Sequence, residues 1–345
     1  MFNSFGEFLM AVRAAALAPS SRDPRLLEQR GAALGASEAV PADGGFLMQP
    51  EFSRALVERM YLTGAVLQRC MEFPISTKSN AIAFPQLDEQ SRQDGSRFGG
   101  VRSFWANEAD TATATKPKFR RSEITASKII ALIYLTDELF QDTEALSIFV
   151  DAAASKELAF RLEDAIINGD GAGKPQGVMK SGALITVAKQ SGQGSGTVIA
   201  QNILDCWSRM WAPSRRTAVW CMHTDAESQI IGATVAAGTG GGPIQLWKAA
   251  EDDEGFNRVL GRPVLPLEQL QIPGTPGDVI FCDFARYALA MREARTDVSI
   301  HVQFLADEVA FRVVMRVGGQ TIDATPITPF TGPNQVSPFV CIAQR

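Results

Sequence analysis

The chain has 345 residues, 46% of them hydrophobic, which is enough to bury one or two cores. Its formal charge of −5 argues against a basic nucleic-acid surface along the whole sequence. Five widely spaced cysteines, an odd number, indicate buried thiols in a reducing compartment and argue against a disulfide framework. The longest apolar run, residues 129–135, is too short to cross a bilayer, so no membrane contact is expected.

The first residues, FGEFLMAVRAAALA, predict a short amphipathic helix. Its apolar stripe consists of Phe5, Phe8, Leu9, Val12 and Ala16. A secretory signal peptide is the alternative, but Glu7 and Arg13 interrupt the uncharged core that such a signal needs. A tether with several Pro and Gly residues follows, up to Gly45. Because a helix on a loose tether cannot bury its stripe locally, we expect a neighbouring subunit to cover it.

Residues 74–135 predict an excursion from the body of the protein. Alternating apolar and polar residues indicate two strands, at 80–86 and 101–108. The stretch between them, QLDEQSRQDGSRFGG, is polar and cannot form a core of its own. The segment is either a disordered surface loop or a two-stranded ribbon that needs another surface, because such a ribbon is unstable alone.

Residues 135–178 are the most informative part of the chain. No Gly or Pro occurs between about 144 and 167, and good helix formers dominate, which predicts one continuous helix. At ~1.5 Å per residue this helix is roughly 35 Å long. Its predicted apolar stripe is Leu146, Phe149, Val150, Ala153, Leu158, Leu162, Ala165 and Ile166. Residues 168–171, Asn-Gly-Asp-Gly, are predicted to end the helix because Asn and Gly accept the left-handed conformation.

The rest of the chain predicts a compact α/β unit at about 181–304, followed by a strand-rich tail. Residues 199–211 have a helical pattern, and residues 224–227, TDAE, are a capping-box pattern that opens the next helix. Residues 238–243 predict a flexible loop. The predicted strands are 217–222, 263–266, 279–282, 287–291, 299–304, 309–317 and 339–343.

Several of these segments together resemble a known family. Residues 138–143 read ELFQDT, residues 163–171 at the end of the Ala-rich helix read EDAIINGDG, and residues 173–178 read GKPQGV. Residues 46–51, FLMQPE, precede them. In this combination the chain resembles the major capsid proteins of tailed bacteriophages with the Hong Kong 97-type fold. The resemblance extends over the whole chain and is strongest over residues 135–178.

The resemblance implies an α+β fold of the Hong Kong 97 type. Its expected parts are a long spine helix, an extended β-hairpin loop, an N-terminal arm, a peripheral domain and an axial α/β domain. The expected divisions are 1–45 for the arm, 46–75 for the start of the peripheral domain, 76–120 for the hairpin loop, 121–180 for the peripheral domain with the spine helix, 181–304 for the axial domain, and 305–345 for the return strands of the peripheral domain and a C-terminal strand.

The function implied by the resemblance is that of a major capsid protein. It self-assembles through hexamers and pentamers into an icosahedral virion shell around double-stranded DNA, in the cytoplasm of the host bacterium. Further expected partners are a portal protein and decoration proteins, with DNA present only by non-specific proximity. Many family members begin with a removable scaffolding segment of about a hundred residues. This chain has none, so either the segment was removed or, as the initial Met favours, a separate protein scaffolds assembly.

The resemblance also implies which residues contact other subunits, because in this family the hairpin loop lies across the next subunit. The candidates are Phe5, Phe8 and Leu9 in the arm, and Arg92, Arg97, Arg102, Phe104, Trp105 and Glu108 in the loop. Arg and Trp are the residue types that dominate interface energetics. Some relatives link a lysine of this loop covalently to a neighbour. No lysine occurs here between Lys78 and Lys116, so that linkage is not expected.

No catalytic residue, cofactor site or metal site is predicted. Residues 169–174 differ from a phosphate-binding loop in glycine spacing and in having Pro175 where a hydroxyl is required. There are only two histidines and no Cys-x-x-Cys pair, which argues against zinc. Asp137, Glu138 and Asp142 are interpreted as complements to the helix dipole rather than as acid–base groups. Two other functions stay open: an encapsulin-type compartment around cargo enzyme, and a soluble hydrolase with an unrecognised site.

Overall fold

The structure is a computed structural model that describes residues 11, 23, 45–47, 59–60, 64–75, 79–105, 114–136, 143–236, 243–249, 255–303 and 308–345. The strands are β1 Gly45–Leu47, β2 Met71–Pro74, β3 Ala81–Leu87, β4 Phe119–Thr125, β5 Ser127–Thr136, β6 Ile185–Val187, β7 Val219–Met222, β8 Thr234–Ala236, β9 Pro243–Gln245, β10 Trp247–Lys248, β11 Arg258–Val259, β12 Arg262–Pro266, β13 Val279–Cys282, β14 Tyr287–Gln303, β15 Glu308–Thr321 and β16 Phe339–Ile342. The α-helices are α1 Thr143–Asn168, α2 Ala200–Arg209 and α3 Thr224–Ile231. Short 3₁₀ helices cover Leu67–Arg69, Val178–Lys180, Ala212–Arg216 and Phe284–Arg286.

Helix α1 is continuous over 26 residues, which confirms the prediction of one long helix. Its end is made by close packing. A Cβ added to Gly169 would lie 2.1 Å from the carbonyl oxygen of Pro175, and Gly177 donates its N–H to the Gly169 carbonyl at 2.8 Å. The left-handed conformation occurs only later, at Gly171 (φ 81°). The helix therefore ends at Asn168, as predicted, but within residues 168–171 only Gly171 is left-handed, and close approach of the chain is what requires glycine at position 169.

The buried face of α1 is wider than the predicted stripe. Where side chains are described, it consists of Ala154, Ser155, Leu158, Ala159, Leu162, Glu163, Ile166 and Ile167. Leu158, Leu162 and Ile166 are thus confirmed, whereas Ala153 and Ala165 are only half-buried. The side chains of the predicted positions at 146, 149 and 150 lie outside the described part. The buried positions come in adjacent pairs because side chains of both main sheets pack into the same core as this helix.

The first main sheet has five strands in the order β1-β14-β15-β5, with β2 also paired to β14. One face packs towards α1 through residues such as Leu289 and Met315. The prediction of separate strands at 287–291 and 299–304 is wrong, because β14 is a single strand with a register shift between Arg292 and Arg295. The charged residues Arg292, Arg295 and Asp297, which interrupt the apolar pattern, lie on its other face. Since β14 pairs with β15, the expected unit 181–304 does not coincide with one sheet.

The second main sheet has seven strands in the order β10-β11-β12-β7-β13-β16-β6. Both of its faces are covered, so its central strands β7, β13 and β16 are buried at every position. One face shares the core with α1, and the other packs against α2 and α3. On that second face Trp220 stacks on Phe281 with ring centroids 4.0 Å apart. The predicted strands at 217–222, 263–266 and 279–282 and the tail strands at 309–317 and 339–343 are confirmed, with ends that differ by no more than four residues.

Helix α3 begins differently from its prediction. The N-cap is His223, whose Nδ1 accepts the N–H of Asp225 at 3.2 Å, and Thr224 is already the first helical residue. The capping box predicted from residues 224–227 is therefore wrong. The imidazole nitrogen accepts one of the N–H groups that the first turn leaves without a partner in the helix, so the threonine hydroxyl is not needed for that role.

A buried ion pair closes the second sheet. Arg345 and Asp278 both have fully buried side chains, and Arg345 Nη1 donates to Asp278 Oδ1 at 3.2 Å. The same carboxylate accepts the N–H groups of Gly274 and Val279, each at 2.8 Å. The backbone of Arg345 also bonds to Gly274 and Gly196. Arg345 therefore joins the loop around Gly196 and the loop of residues 274–278 to the end of the last strand.

Four of the five cysteines are buried, and none forms a disulfide. Burial raises the pKa of Cys206 and Cys221 well above the ordinary thiol range, which makes them poor nucleophiles. Among the described residues, no helix is both long enough and apolar enough to span a membrane.

Candidate assembly surfaces

The hairpin loop is built on the paired strands β3 and β4, in register from Ala81–Thr125 to Leu87–Phe119. The first strand agrees with the prediction at 80–86. The second prediction, at 101–108, is wrong over its described part, because residues 102–105 are not in a strand and only Val101 forms an isolated bridge. The chain turns sharply just before this point. Gly99 and Gly100 have φ values of 75° and 118°, which extended backbone does not allow.

The base of the hairpin is fixed to the first sheet. Phe73 on β2 and Phe84 on β3 stack with centroids 5.1 Å apart. Ile124 packs there against Ala288 and Ala290 of β14, on the sheet face opposite to α1. A two-stranded ribbon needs such support, because two strands alone are at best marginally stable in water. The alternative of a disordered surface loop is therefore wrong for the described part of this segment.

Arg92 holds the loop against its own subunit. Its guanidinium lies 5.4 Å from the ring centre of Trp211 and pairs with Glu89 at 2.5 Å. Its backbone N–H donates to the carbonyl of Thr328 at 2.9 Å. A second cation lies near the same ring, since the guanidinium of Arg286 is 5.5 Å from its centre. The contact of Arg92 with another subunit stays a prediction, and within its own subunit Arg92 positions the loop.

Arg102 also has a partner within the loop, the carboxylate of Asp94. Hydrogen bonds from Ser96, and then from Arg102, hold the pKa of Asp94 below its usual range. Asp94 and Ser96 therefore stabilise the bend in the loop through local hydrogen bonds. Arg97 by contrast is exposed, and its described contacts are backbone bonds with Gly100 and Val101.

The aromatic candidates are the most exposed large side chains in the loop. Trp105 is fully exposed and Phe104 is 51% exposed, although both are large apolar groups. Phe98 and Phe330 are also exposed, at 65% and 61%. Large exposed apolar groups are characteristic of interaction sites on soluble proteins when they lie together. The structure thus separates the predicted loop residues into internal ties, Arg92 and Arg102, and outward groups, Arg97, Phe104 and Trp105.

The other predicted contact residues, Phe5, Phe8, Leu9 and Glu108, lie outside the described residues. Ala11, within the predicted N-terminal helix, is helical and buried. The acidic residues 137, 138 and 142 also lie outside the described part, and so does the predicted flexible loop up to residue 242.

A charged surface that sequence reasoning missed lies on the first sheet, on the face opposite to α1. There Lys128 on β5 stands opposite Arg316 on β15, which stands opposite Arg292 on β14. We call these three residues the cationic row. With their neighbours they line an open cavity of about 290 Å³. The only carboxylate in its lining, Asp297, is bound by two other arginines, Arg295 at 2.8 Å and Arg312 at 2.7 Å.

The outer face of β5 continues the cationic row with apolar side chains. Ile130, Leu132 and Tyr134 alternate with the inward residues of the strand and are 49%, 52% and 43% exposed. We call these three the apolar strip. The other edge of β5 pairs with no strand among the described residues. The sequence signal for this face is the alternation in residues 128–134, but only the strand register shows that the cations come together.

One carboxyl group, that of Glu163, lies on the buried face of α1. Glu163 Oε1 accepts the N–H of Val66 at 2.7 Å, which ties the helix to the turn before β2. Desolvation by burial raises the pKa of Glu163, and the bonds from Val66 and Leu67 partly oppose that rise.

Among the described residues, no group of three or more His, Cys, Asp and Glu side chains could hold a metal ion. In the turn at 169–174, the side-chain carboxylate of Asp170 accepts the N–H of Ala172 at 3.0 Å and so stabilises the turn.

Comparison with known proteins identifies the family of this chain. The sequence model of the phage capsid family matches residues 44–332. The chain belongs to the phage capsid family. It is a structural protein of the virion capsid, and it assembles with copies of itself into an oligomeric shell. A search of curated proteins found no match.

Solved structures show the same fold at low sequence identity. The capsid of an empty GTA particle is 20% identical with a TM-score of 0.57, and the match covers 81% of this chain and 89% of that one. The protein from Microbacterium phage Oxtober96 is 15% identical (TM-score 0.54, 81% and 91% covered). The protein from Mycobacterium phage Adephagia is 12% identical (TM-score 0.52, 96% and 96% covered). The predicted α+β fold of the Hong Kong 97 type and the capsid function are confirmed, and the encapsulin alternative is not favoured.

Proposed function

We propose that this capsid protein is the subunit of hexamers and pentamers that tile an icosahedral head around double-stranded DNA. The observation that supports the proposal is that the subunit combines a well-packed core with exposed aromatic side chains on its hairpin loop. Helix α1 and two sheets share one core, whereas Phe104 and Trp105 on the hairpin loop are exposed in the single subunit. A rigid body suits tiling, and an anchored loop with exposed aromatic residues suits a contact with the next subunit.

The proposed domain division follows the strand pairing. The arm is 1–45, the peripheral domain begins at 46–75, the hairpin loop is 76–120, and the spine helix belongs to 121–180. We place the end of the axial domain near Tyr287 instead of 304, because β14 pairs with β15 and not with the second sheet. Residue 305 onward then contributes β15 to the peripheral domain and β16 to the axial domain.

In this proposal the contacts of the loop with its own subunit fix its position before assembly. Arg92 holds the loop to Trp211 and Thr328 of its own subunit, so the loop is positioned before it meets a neighbour. Pre-positioning lowers the conformational entropy lost on association. The remaining parts of the proposal follow from family membership: a portal protein and separate scaffolding or decoration proteins as partners, assembly in the host bacterial cytoplasm, DNA by proximity only, and no enzymatic activity.

The test is assembly of the full chain. The recombinant protein, purified and viewed by negative-stain electron microscopy, is expected to give closed shells of uniform diameter. Particles from the natural source are expected to contain double-stranded DNA that resists added nuclease until the shell is opened. Particles filled with a single protein cargo instead of DNA would refute the head function and favour the encapsulin alternative. A chain that stays monomeric with and without a co-expressed scaffolding protein would refute shell formation.

A further inference from the structure

No carboxylate among the described residues pairs with the cationic row. Lys128, Arg316 and Arg292 stand in direct register on three adjacent strands, so about 10 Å of the sheet carries three positive charges. Like charges directly opposite each other destabilise a sheet. The described side-chain contact of Arg292 is with a neutral group, since its Nη1 lies 3.4 Å from Asn80 Oδ1. An anion bound along the row would remove this repulsion.

The other cations in the same cavity have a carboxylate partner. Arg312 donates from Nη2 to Asp297 Oδ2 at 2.7 Å, and Arg295 donates from Nε to Asp297 Oδ1 at 2.8 Å. Asp297 stands opposite Arg312, which lies four residues from Arg316 along β15, or roughly 13 Å of strand. The Asp297 carboxylate is therefore used at the other end of the cavity, and the excess of positive charge lies at the cationic row.

The base of the hairpin loop borders the cationic row. Ile124 on β4 clusters with Ala290, the outward residue of β14 that comes just before Arg292. Asn80 accepts the N–H of Ala126 through its carbonyl at 2.7 Å and contacts Arg292 through its side chain. The row thus has the hairpin base on one side and the open cavity on the other. A cleft lined by one sign of charge focuses the field and raises the local concentration of counter-ions.

The size and the donors of the cavity favour a compact phosphate compound. Its volume of about 290 Å³ lies at the lower end of the range for ligand pockets and equals roughly ten water molecules at ~30 Å³ each. Two cations of the row are guanidinium groups, whose planar forks match phosphate oxygens in bidentate pairs. A phosphate group brings up to two negative charges and a carboxylate only one. A chain of two or three phosphates therefore matches a row of three cations.

A long nucleic-acid backbone fits this surface less well. Binding of such a polymer depends on many phosphate contacts along its length. The chain has a net charge of −5, and the outward residues that follow Lys128 on β5 belong to the apolar strip. The positive charge is therefore local, which suits a short anion.

We propose that the cationic row is a binding site for a short polyphosphate anion, either inorganic polyphosphate or the phosphate chain of a free nucleotide. The guanidinium groups of Arg316 and Arg292 bind phosphate oxygens, and Lys128 adds the third positive charge. Binding removes the repulsion within the row and stabilises the folded subunit, because the unfolded chain does not bring the three cations together. The site is additional to the head function and does not depend on it.

The test is urea unfolding of the full-length, unassembled subunit at fixed ionic strength. Sodium tripolyphosphate is expected to raise the urea midpoint with a saturable dependence, and inorganic phosphate to need at least a hundredfold higher concentration. Lys128→Gln/Arg316→Gln is expected to weaken the affinity for tripolyphosphate at least tenfold. The matched control is Lys189→Gln/Arg216→Gln, which makes the same change in charge at exposed residues near the second sheet and should respond like wild type.

A second readout separates a binding site from a purely structural role. Without added phosphate, Lys128→Gln/Arg316→Gln is expected to unfold at the same or a higher urea concentration than wild type, because the change removes like-charge repulsion. Arg292→Gln leaves β5 and β15 unchanged and is expected to weaken tripolyphosphate binding at least threefold by isothermal titration calorimetry. If both variants are less stable than wild type without any ligand, the three cations serve the fold and the proposal is wrong.

A comparison of adenosine triphosphate with tripolyphosphate, in magnesium-free buffer, distinguishes the two sources of the anion. Equal affinities would assign the phosphate chain alone. Tighter binding of adenosine triphosphate that Ile130→Ser abolishes would assign a nucleotide whose base lies on the apolar strip.

Three results would overturn the proposal. The first is an equal response of wild type and Lys128→Gln/Arg316→Gln to tripolyphosphate. The second is the same midpoint shift from sodium chloride at matched ionic strength, which would be general screening. The third is binding of a 20-base-pair DNA duplex in preference to tripolyphosphate, which would show a nucleic-acid surface. Because the measurements use the unassembled subunit, each of these results leaves the head function standing.

Discussion

Replacing Arg345 with Ala tests how much one buried ion pair contributes to the second sheet. The variant leaves Asp278 with only the N–H groups of Gly274 and Val279 as partners, in a site with no solvent exposure. Removing one member of a buried pair leaves an uncompensated charge and costs about 3–5 kcal/mol. We expect the free energy of unfolding of the unassembled subunit to fall by about that amount.

The assay is urea denaturation followed by tryptophan fluorescence. Three of the five tryptophans, Trp207, Trp220 and Trp247, belong to the core on one face of the same sheet, so the emission reports mainly on unfolding of this part of the protein. The matched control is Arg161→Ala, which removes an arginine from an exposed pair with Glu157 at 3.0 Å. Exposed pairs of this kind contribute about 0–1 kcal/mol, so the control should stay close to wild type.

A third variant separates lost charge pairing from lost packing. Asp278→Leu/Arg345→Met removes both charges while keeping apolar volume, and we expect it to be more stable than Arg345→Ala. The reasoning fails if Arg345→Ala loses no more stability than Arg161→Ala. It also fails if the double variant is the less stable of the two, since the uncompensated Asp278 charge would then not be the main cost.

Four further predictions concern the helix, the buried acid and the loop. Leu158→Pro should abolish soluble protein, because proline inside a helix costs ~3 kcal/mol or more and the Leu158 side chain is buried. Lys156→Ala, at an exposed position, is the control. Normal shells from Leu158→Pro would contradict the assignment of one continuous helix α1. Burial raises the folded-state pKa of Glu163 above its ordinary 4.5, so its stabilising effect is present below that value and is lost as pH rises through the folded-state pKa. Glu163→Gln keeps an acceptor for the Val66 N–H, so its stability relative to wild type should increase from pH 4 to pH 8, and a flat or opposite trend would contradict this sign. The loop has no lysine between Lys78 and Lys116, so mature particles boiled in detergent should give one band near 37.3 kDa. A ladder of linked subunits would contradict the expectation that the subunits are not covalently linked. Trp105→Ala should reduce shell yield without changing the unfolding midpoint of the subunit, whereas Arg92→Ala should lower that midpoint; the reverse pattern would contradict the roles assigned to the two residues.

The sequence predicts the elements of this protein better than their ends and their partners. Helix α1 is predictable because 26 residues carry a single strong signal, the absence of Gly and Pro in a run of helix formers. The buried strands β7 and β13 are predictable because both faces are covered, which produces short continuous apolar runs. The predicted break in β14 shows the limit of this reasoning. A strand with one polar face and a bulge looks like two strands when its partner is unknown.

The candidate site could be predicted in its residue types but not in its geometry. Arg92 and Trp105 both have the composition of interface residues, and nothing local distinguishes them. The difference comes from Trp211, which lies more than a hundred positions later in the chain and takes the Arg92 guanidinium on its ring face. Whether such a residue is used inside the subunit or stays exposed therefore depends on side chains that are distant in the sequence.

The cationic row shows the same point for charge. Lys128, Arg292 and Arg316 are unremarkable in a chain of net charge −5, and two of them are separated by more than 160 positions. They meet because β5, β15 and β14 pair in one particular register, and a shift by one residue would turn them into the core. The apolar inner residues of the same strands, such as Ile129, Met315 and Met291, fix that register by packing towards α1. The packing of the core thus determines where the charges lie on the surface, and the charges in turn determine what the surface can bind.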